Sequence, residues 1–120
     1  MTSVLNVDTI ADKAGTGPVG LTKQAGVKMY TKTSGTYTGL SSDSLNAASL
    51  TDGGTGVVTI SFTNSFTTNN YSVTACIDAT GAKCITYTSE ATGSIQHRVH
   101  DDDGSDSDNN CTSMATGDLA

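Results

Sequence analysis

The stretch of greatest chemical potential is Asp101-Asp102-Asp103-Gly104-Ser105-Asp106-Ser107-Asp108-Asn109-Asn110, which holds five of the chain's twelve acidic residues. Closely spaced oxygen ligands suit a hard cation such as calcium. An EF-hand loop, however, wants Gly at its sixth position and an acidic residue at its twelfth. Counted from Asp101, those positions hold Asp106 and Thr112. The pattern fails, and the expectation is a solvated hairpin tip between two strands. His97 and His100 are three apart, so on a strand they point to opposite faces. No Cys or His stands at zinc-ligand spacing around them. With Arg98 beside the Asp run, surface pairing is expected there and metal binding is not.

The other chemistry-bearing residues are scattered. Cys76, Cys84 and Cys111 make an odd count, which leaves at least one thiol unpaired or paired between chains. Cys76 and Cys84 flank the turn at Thr80-Gly81; a hairpin in which Asp78 opposes Ala82 would set them opposite each other. Two buried, reduced neighbours are expected, with a disulfide as the minority reading. Glu90 is the only Glu and has no acidic partner in sight for paired-carboxylate chemistry. Gly53-Gly54-Thr55-Gly56 is followed by no Lys-Ser/Thr, so it is not a phosphate loop. No Ser sits in a Gly-x-Ser-x-Gly turn. The expectation is no catalytic residue, no metal, no cofactor and no enzyme.

The elements that would position these residues are strands. Thr, Ser and Gly supply 48 of the 120 residues, hydrophobic residues 35% and aromatics 5%, with no Trp. Good helix formers are scarce, so a helical bundle is excluded. Val27–Thr33 is one candidate strand, Leu45–Leu50 a weaker one, and Thr51–Gly56 the clearest turn. In Val57–Thr63, Val58, Ile60 and Phe62 share one face, the mark of a half-buried strand. Tyr71–Ile77 puts Tyr71, Val73, Ala75 and Ile77 on one side. Gly81 is placed for a left-handed backbone. Ala82–Thr88, Ile95–His100 and Cys111–Ala115 complete the set. The fold class expected is all-β: a small antiparallel β-sandwich or barrel over residues 26–120, preceded by an extended N-terminal arm over residues 1–25.

In the arm, Val4, Leu5, Val7 and Ile10 are apolar and precede a Gly-Pro turn at residues 15–20. They need a surface to cover them and are the expected attachment residues. The apolar content is low for a monomer of this size, which points to oligomerisation or docking. A net charge of −6 argues against a nucleic-acid partner. No apolar run approaches the roughly 20 residues that span a bilayer. The N-terminus lacks the basic and apolar regions of a secretory signal, so folding in a reducing cytoplasm is expected.

Val4-Leu5-Asn6-Val7-Asp8-Thr9-Ile10-Ala11-Asp12, Gly15-Thr16-Gly17 and Leu21-Thr22-Lys23-Gln24 resemble the N-terminal segment of small β-rich virion proteins of marine bacteriophages, both capsid-decorating proteins and tail-fibre modules. The block Leu45–Gly56, Thr59-Ile60-Ser61-Phe62 and Asn70-Tyr71-Ser72-Val73 is similar to their central strands, and Gly117-Asp118-Leu119 to their ends. The resemblance implies a virion component assembled in the host cytoplasm: a homotrimer attached by its N-terminal arm to the major capsid protein or another virion protein. A capsid decoration protein or short head fibre is the leading expectation, and a tail-fibre or receptor-binding module the alternative. A calcium-dependent carbohydrate-binding module, resting on the Asp101–Asp108 run and Tyr30, Tyr37, Tyr71 and Tyr87, is the second alternative.

Overall fold

The computed structural model describes residues 26–117, which form seven β-strands and no helix. The strands are β1 (Val27–Thr33), β2 (Ala47–Asp52), β3 (Val57–Phe62), β4 (Ser72–Asp78), β5 (Lys83–Ala91), β6 (Ser94–Asp101) and β7 (Asn110–Thr116). They build two antiparallel sheets, of order β1-β7-β4 and β2-β3-β6-β5. The all-β sandwich expected from the sequence is what the chain forms.

Period-two alternation decides what faces inward. Along β3, Val58, Ile60 and Phe62 are buried while Val57, Thr59 and Ser61 are half-buried. Along β6, Ile95, His97 and Val99 are buried. Along β7 the inward set is Cys111, Ser113 and Ala115, and along β1 it is Met29, Thr31 and Thr33. The interior therefore has two halves. Met29, Ile60, Phe62, Phe66, Tyr71, Ile95 and Ala115 form the apolar half. Phe62, Phe66 and Tyr71 pack with ring centroids 4.4 to 5.8 Å apart, two pairs edge-to-face and one stacked. Thr31, Thr33, His97 and Ser113 form a polar half whose hydroxyls are engaged locally: Thr33 Oγ1 lies 2.8 Å from Cys111 Sγ, and Thr31 Oγ1 lies 2.7 Å from Ser44 Oγ.

Two aromatics on loops plug the sandwich. Phe66 is buried from the β3–β4 loop, and Tyr37 from the β1–β2 connection with φ of +50°. That φ is strained for a residue with a side chain, and burial of the ring holds it there. The turn at Asp52–Gly56 uses glycine where only glycine fits. Gly56 has φ of +72°, and a Cβ on it would run into the Val99 carbonyl and the Ser107 amide nitrogen.

Two expectations about connections are corrected. β4 and β5 do not form a hairpin, because the link through Gly81 crosses from one sheet to the other. Cys76 therefore opposes Thr112 on β7, and Cys84 opposes His100 on β6. Both are exposed free thiols, because each alternates with its strand's inward residues; Cys111 is buried and also free. The Asp-rich segment is likewise not a hairpin tip between β6 and β7, which lie in separate sheets. It turns at residues 102–104, folds back on β6 through Asp101 N–H to Ser105 O (2.8 Å) and Ser107 N–H to Val99 O (3.1 Å), then crosses to β7. Gly81, with φ of +101°, does take the left-handed conformation expected of it.

Candidate functional site

The acidic segment is held by individual partners. Asp101 pairs with the Lys83 ammonium, which also lies 3.2 Å from Ser107 Oγ. Asp106 accepts from Arg98 Nε at 2.6 Å, the surface pairing expected of Arg98, and it holds that guanidinium's proton more tightly than usual. Asp108 accepts from the Gly56 amide at 2.6 Å and so pins the segment to the β2–β3 turn. Asp103 accepts from Ser105 N–H at 2.9 Å, which keeps its carboxyl below the ordinary carboxylate range. Four of the five carboxylates are thus spent on separate donors. Among the described residues, no three His, Cys, Asp or Glu side chains are grouped to hold a metal ion.

His97 is not on the surface. Its ring is fully buried between the sheets, with Nε2 3.2 Å from Ser113 Oγ and the Tyr87 ring edge-on at 5.2 Å. Nδ1 has no hydrogen-bond partner. Burial pushes the imidazole pKa down to about 4, so the ring is neutral at pH 7. His with Ser at this distance is the residue pair of nucleophilic catalysis. Here neither side chain is exposed, and no third group orients the imidazole through Nδ1, so the pair meets no substrate. The alternation Ile95, His97, Val99 was the signal that could have found it; the charged neighbours Arg98 and Asp101 draw the eye to the surface instead. His100, on the other face of β6, is half-buried with Nδ1 3.2 Å from the Asp101 carbonyl.

The tyrosines of the carbohydrate-binding alternative are dispersed. Tyr71 is buried in the core, its Oη 3.0 Å from the carbonyls of both Ala91 and Ser94 and its pKa pushed up to about 12, chiefly by burial. Tyr37 is buried in a loop, and Tyr87 donates to the Val73 carbonyl at 2.9 Å. Tyr30 and Tyr87 are both exposed but stand on different sheets. No stacking platform is assembled from them.

What the surface does offer is apolar. On the outer face of the β1-β7-β4 sheet, Tyr30 opposes Met114, and Leu45 bridges to Tyr30 from the far side of β1. The three make a continuous row, each 39–45% exposed. A groove of about 360 Å³ opens beside it, lined by Val27, Lys28, Leu45, Asn46, Thr63 and Asn64. The strand expected over Leu45–Leu50 instead runs Ala47–Asp52, and Leu45, ahead of it, reaches Tyr30 by a single bridge, so the row is a pattern within no one segment. The expected attachment residues Val4, Leu5, Val7 and Ile10 lie outside the described residues. The chain matches no protein-family model, no curated protein and no solved structure.

Proposed function

We propose that this chain is a non-catalytic structural protein of a bacteriophage virion, a capsid decoration protein or short head fibre that binds the shell through residues 1–25. The observation that carries the reading is how the polar groups are spent. Asp101 and Asp106 are engaged in ion pairs at the surface, and the Ser113–His97 pair is sealed in the core, while most of the exposed large apolar side chains among the described residues, Tyr87 apart, lie on or beside a single sheet face. A small sandwich of this kind presents surface and performs no chemistry. The alternating apolar residues Val4, Leu5, Val7 and Ile10 supply the attachment, and the acidic β domain stands away from the shell.

The test is mass spectrometry and cryo-microscopy of particles from a phage that encodes the chain. The reading expects the chain in many copies per particle, as density on the head surface. Density confined to the tail would favour the tail-fibre alternative, and absence of the chain from the particle would overturn the proposal.

A further inference from the structure

The outer face of the β2-β3-β6-β5 sheet carries a thiol and an imidazole side by side. Cys84 on β5 and His100 on β6 are direct register partners, so their side chains leave the sheet on the same face. Cys84 is exposed and His100 half-buried, and each alternates with an inward-facing neighbour, Ile85 and Val99. Directly opposed residues on antiparallel strands hold their Cβ atoms about 4.5–5.5 Å apart. At that spacing a rotamer change of the exposed Cys84 side chain, a motion of picoseconds to nanoseconds, is enough to bring sulfur and ring nitrogen into contact.

The imidazole is oriented to act as a base. His100 Nδ1 lies 3.2 Å from the Asp101 carbonyl. A carbonyl only accepts, so Nδ1 carries the proton of the neutral ring and the lone pair is left on Nε2. The charges around the pair are spent on one another. Arg98, two residues before His100 on the same face, donates to Asp106, whose backbone bridges to His100 from the side away from β5. Lys83 and Asp101, each one residue along from the pair and so on the opposite face, are joined to each other. In the row Cys84, His100, Asp106 the imidazole therefore stands next to the thiol and the carboxylate beyond it. Cys76, the other exposed thiol, has no such neighbour. It opposes Thr112, and Lys32, level with it on β1, is paired with Asp78.

We propose that Cys84 is a modification site, a thiol that His100 primes for S-thiolation by small disulfides. Thiolate, not thiol, is the attacking species in such an exchange. Cys84 Sγ gives its proton to His100 Nε2 and attacks one sulfur of the disulfide. The new Sγ–S bond forms as the disulfide's own S–S bond breaks, and the departing thiolate takes the proton from the imidazolium. One protein thiol and one small disulfide become one mixed disulfide and one small thiol, with no further oxidant. Cys84 is consumed in the step, so the site marks the chain and catalyses nothing. The proposal is independent of the virion reading and is tested without any particle.

The experiment is timed incubation of the folded full chain with 2-hydroxyethyl disulfide, an uncharged probe, from about pH 6 to about pH 9.5, a range that spans the ordinary imidazole and thiol values. Samples are quenched in acid, digested and read by mass spectrometry. Trypsin cuts between Lys83 and Cys84, so the two exposed thiols fall in separate peptides. At pH 7 Cys84 is expected to react at least about tenfold faster than Cys76. That is less than the roughly 10²–10⁴-fold a positioned base supplies in an enzyme, because this pair is open to water. The ratio should shrink toward one at the alkaline end, where both thiols ionise unaided. His100→Gln should bring Cys84 to the Cys76 rate at pH 7 and leave its alkaline rate unchanged, with circular dichroism recording that the fold is kept. Equal rates for the two thiols at pH 7, a ratio constant with pH, or a folded His100→Gln chain whose Cys84 reacts as fast as before would each overturn the proposal. The wild-type profile needs no variant, and it decides the matter alone where the substitution disturbs the fold.

Discussion

Burial of His97 makes a quantitative prediction about acid stability. The folded imidazole titrates at about 4, pushed down by burial, against an ordinary value of 6.5. The unfolded chain therefore takes up a proton as pH falls below about 6.5, while the folded chain refuses it until about pH 4. Folding is undisturbed by this residue above pH 6.5 and loses stability progressively from there down to pH 4. The full loss is about 3.4 kcal/mol, from 1.36 kcal/mol per pKa unit, and about 2.5 kcal/mol of it is spent between pH 7.5 and 4.5. The assay is urea denaturation of the wild type and His97→Phe at a series of pH values. Every other ionisable residue is common to both proteins, so the difference between the two curves isolates His97. The substitution leaves Ser113 Oγ without its partner, an offset of about 1–3 kcal/mol that is the same at every pH. The wild type is expected to lose about 2.5 kcal/mol more than the variant between the two ends of the range. Parallel curves, or a His97 resonance titrating near 6.5 in the folded protein, would refute the burial argument.

Further outcomes follow from the packing. Phe62→Ala removes a ring that contacts both Phe66 and Tyr71 and should cost about 3–5 kcal/mol by chemical denaturation. Gly56→Ala places a Cβ against the Val99 carbonyl at a left-handed backbone position, and should cost at least about 1–3 kcal/mol and loosen the Asp-rich segment pinned there. A thiol reagent added to the native protein should modify Cys76 and Cys84 quickly and Cys111 only on unfolding, read as two adducts against three by mass spectrometry.

Much of the fold is legible because strand alternation is local. Val58, Ile60 and Phe62 announce the inward face of β3 without knowledge of any neighbour, and β7 was recoverable from Cys111–Ala115 in the same way. The pairing of strands is not local. The short links after Asp78 and Asp101 look like hairpin turns, yet both carry the chain between sheets, so Cys76 and Cys84 face Thr112 and His100 and not each other. Turn residues fix the direction of the backbone over a few positions; which sheet a strand joins is decided by where its inward side chains pack. Tyr37 and Phe66 were invisible as core for a related reason, since a plug supplied by a loop has no period. His97 follows the inward alternation of Ile95 and Val99, while its charged neighbours Arg98 and Asp101 suggest a surface position. The apolar row of Leu45, Tyr30 and Met114 exists only once three separate segments are aligned.

The central claim, a surface-presenting β domain carried to the shell by its first 25 residues, is tested most directly by co-sedimentation. Full-length chain and a chain beginning at residue 26 would each be incubated with phage heads stripped of this protein, pelleted and quantified, with circular dichroism recording that both remain β-folded. The account predicts that the full-length chain pellets with the heads while the shortened chain, still folded, stays in the supernatant. Equal pelleting of the two, or failure of the full-length chain to bind, would contradict it.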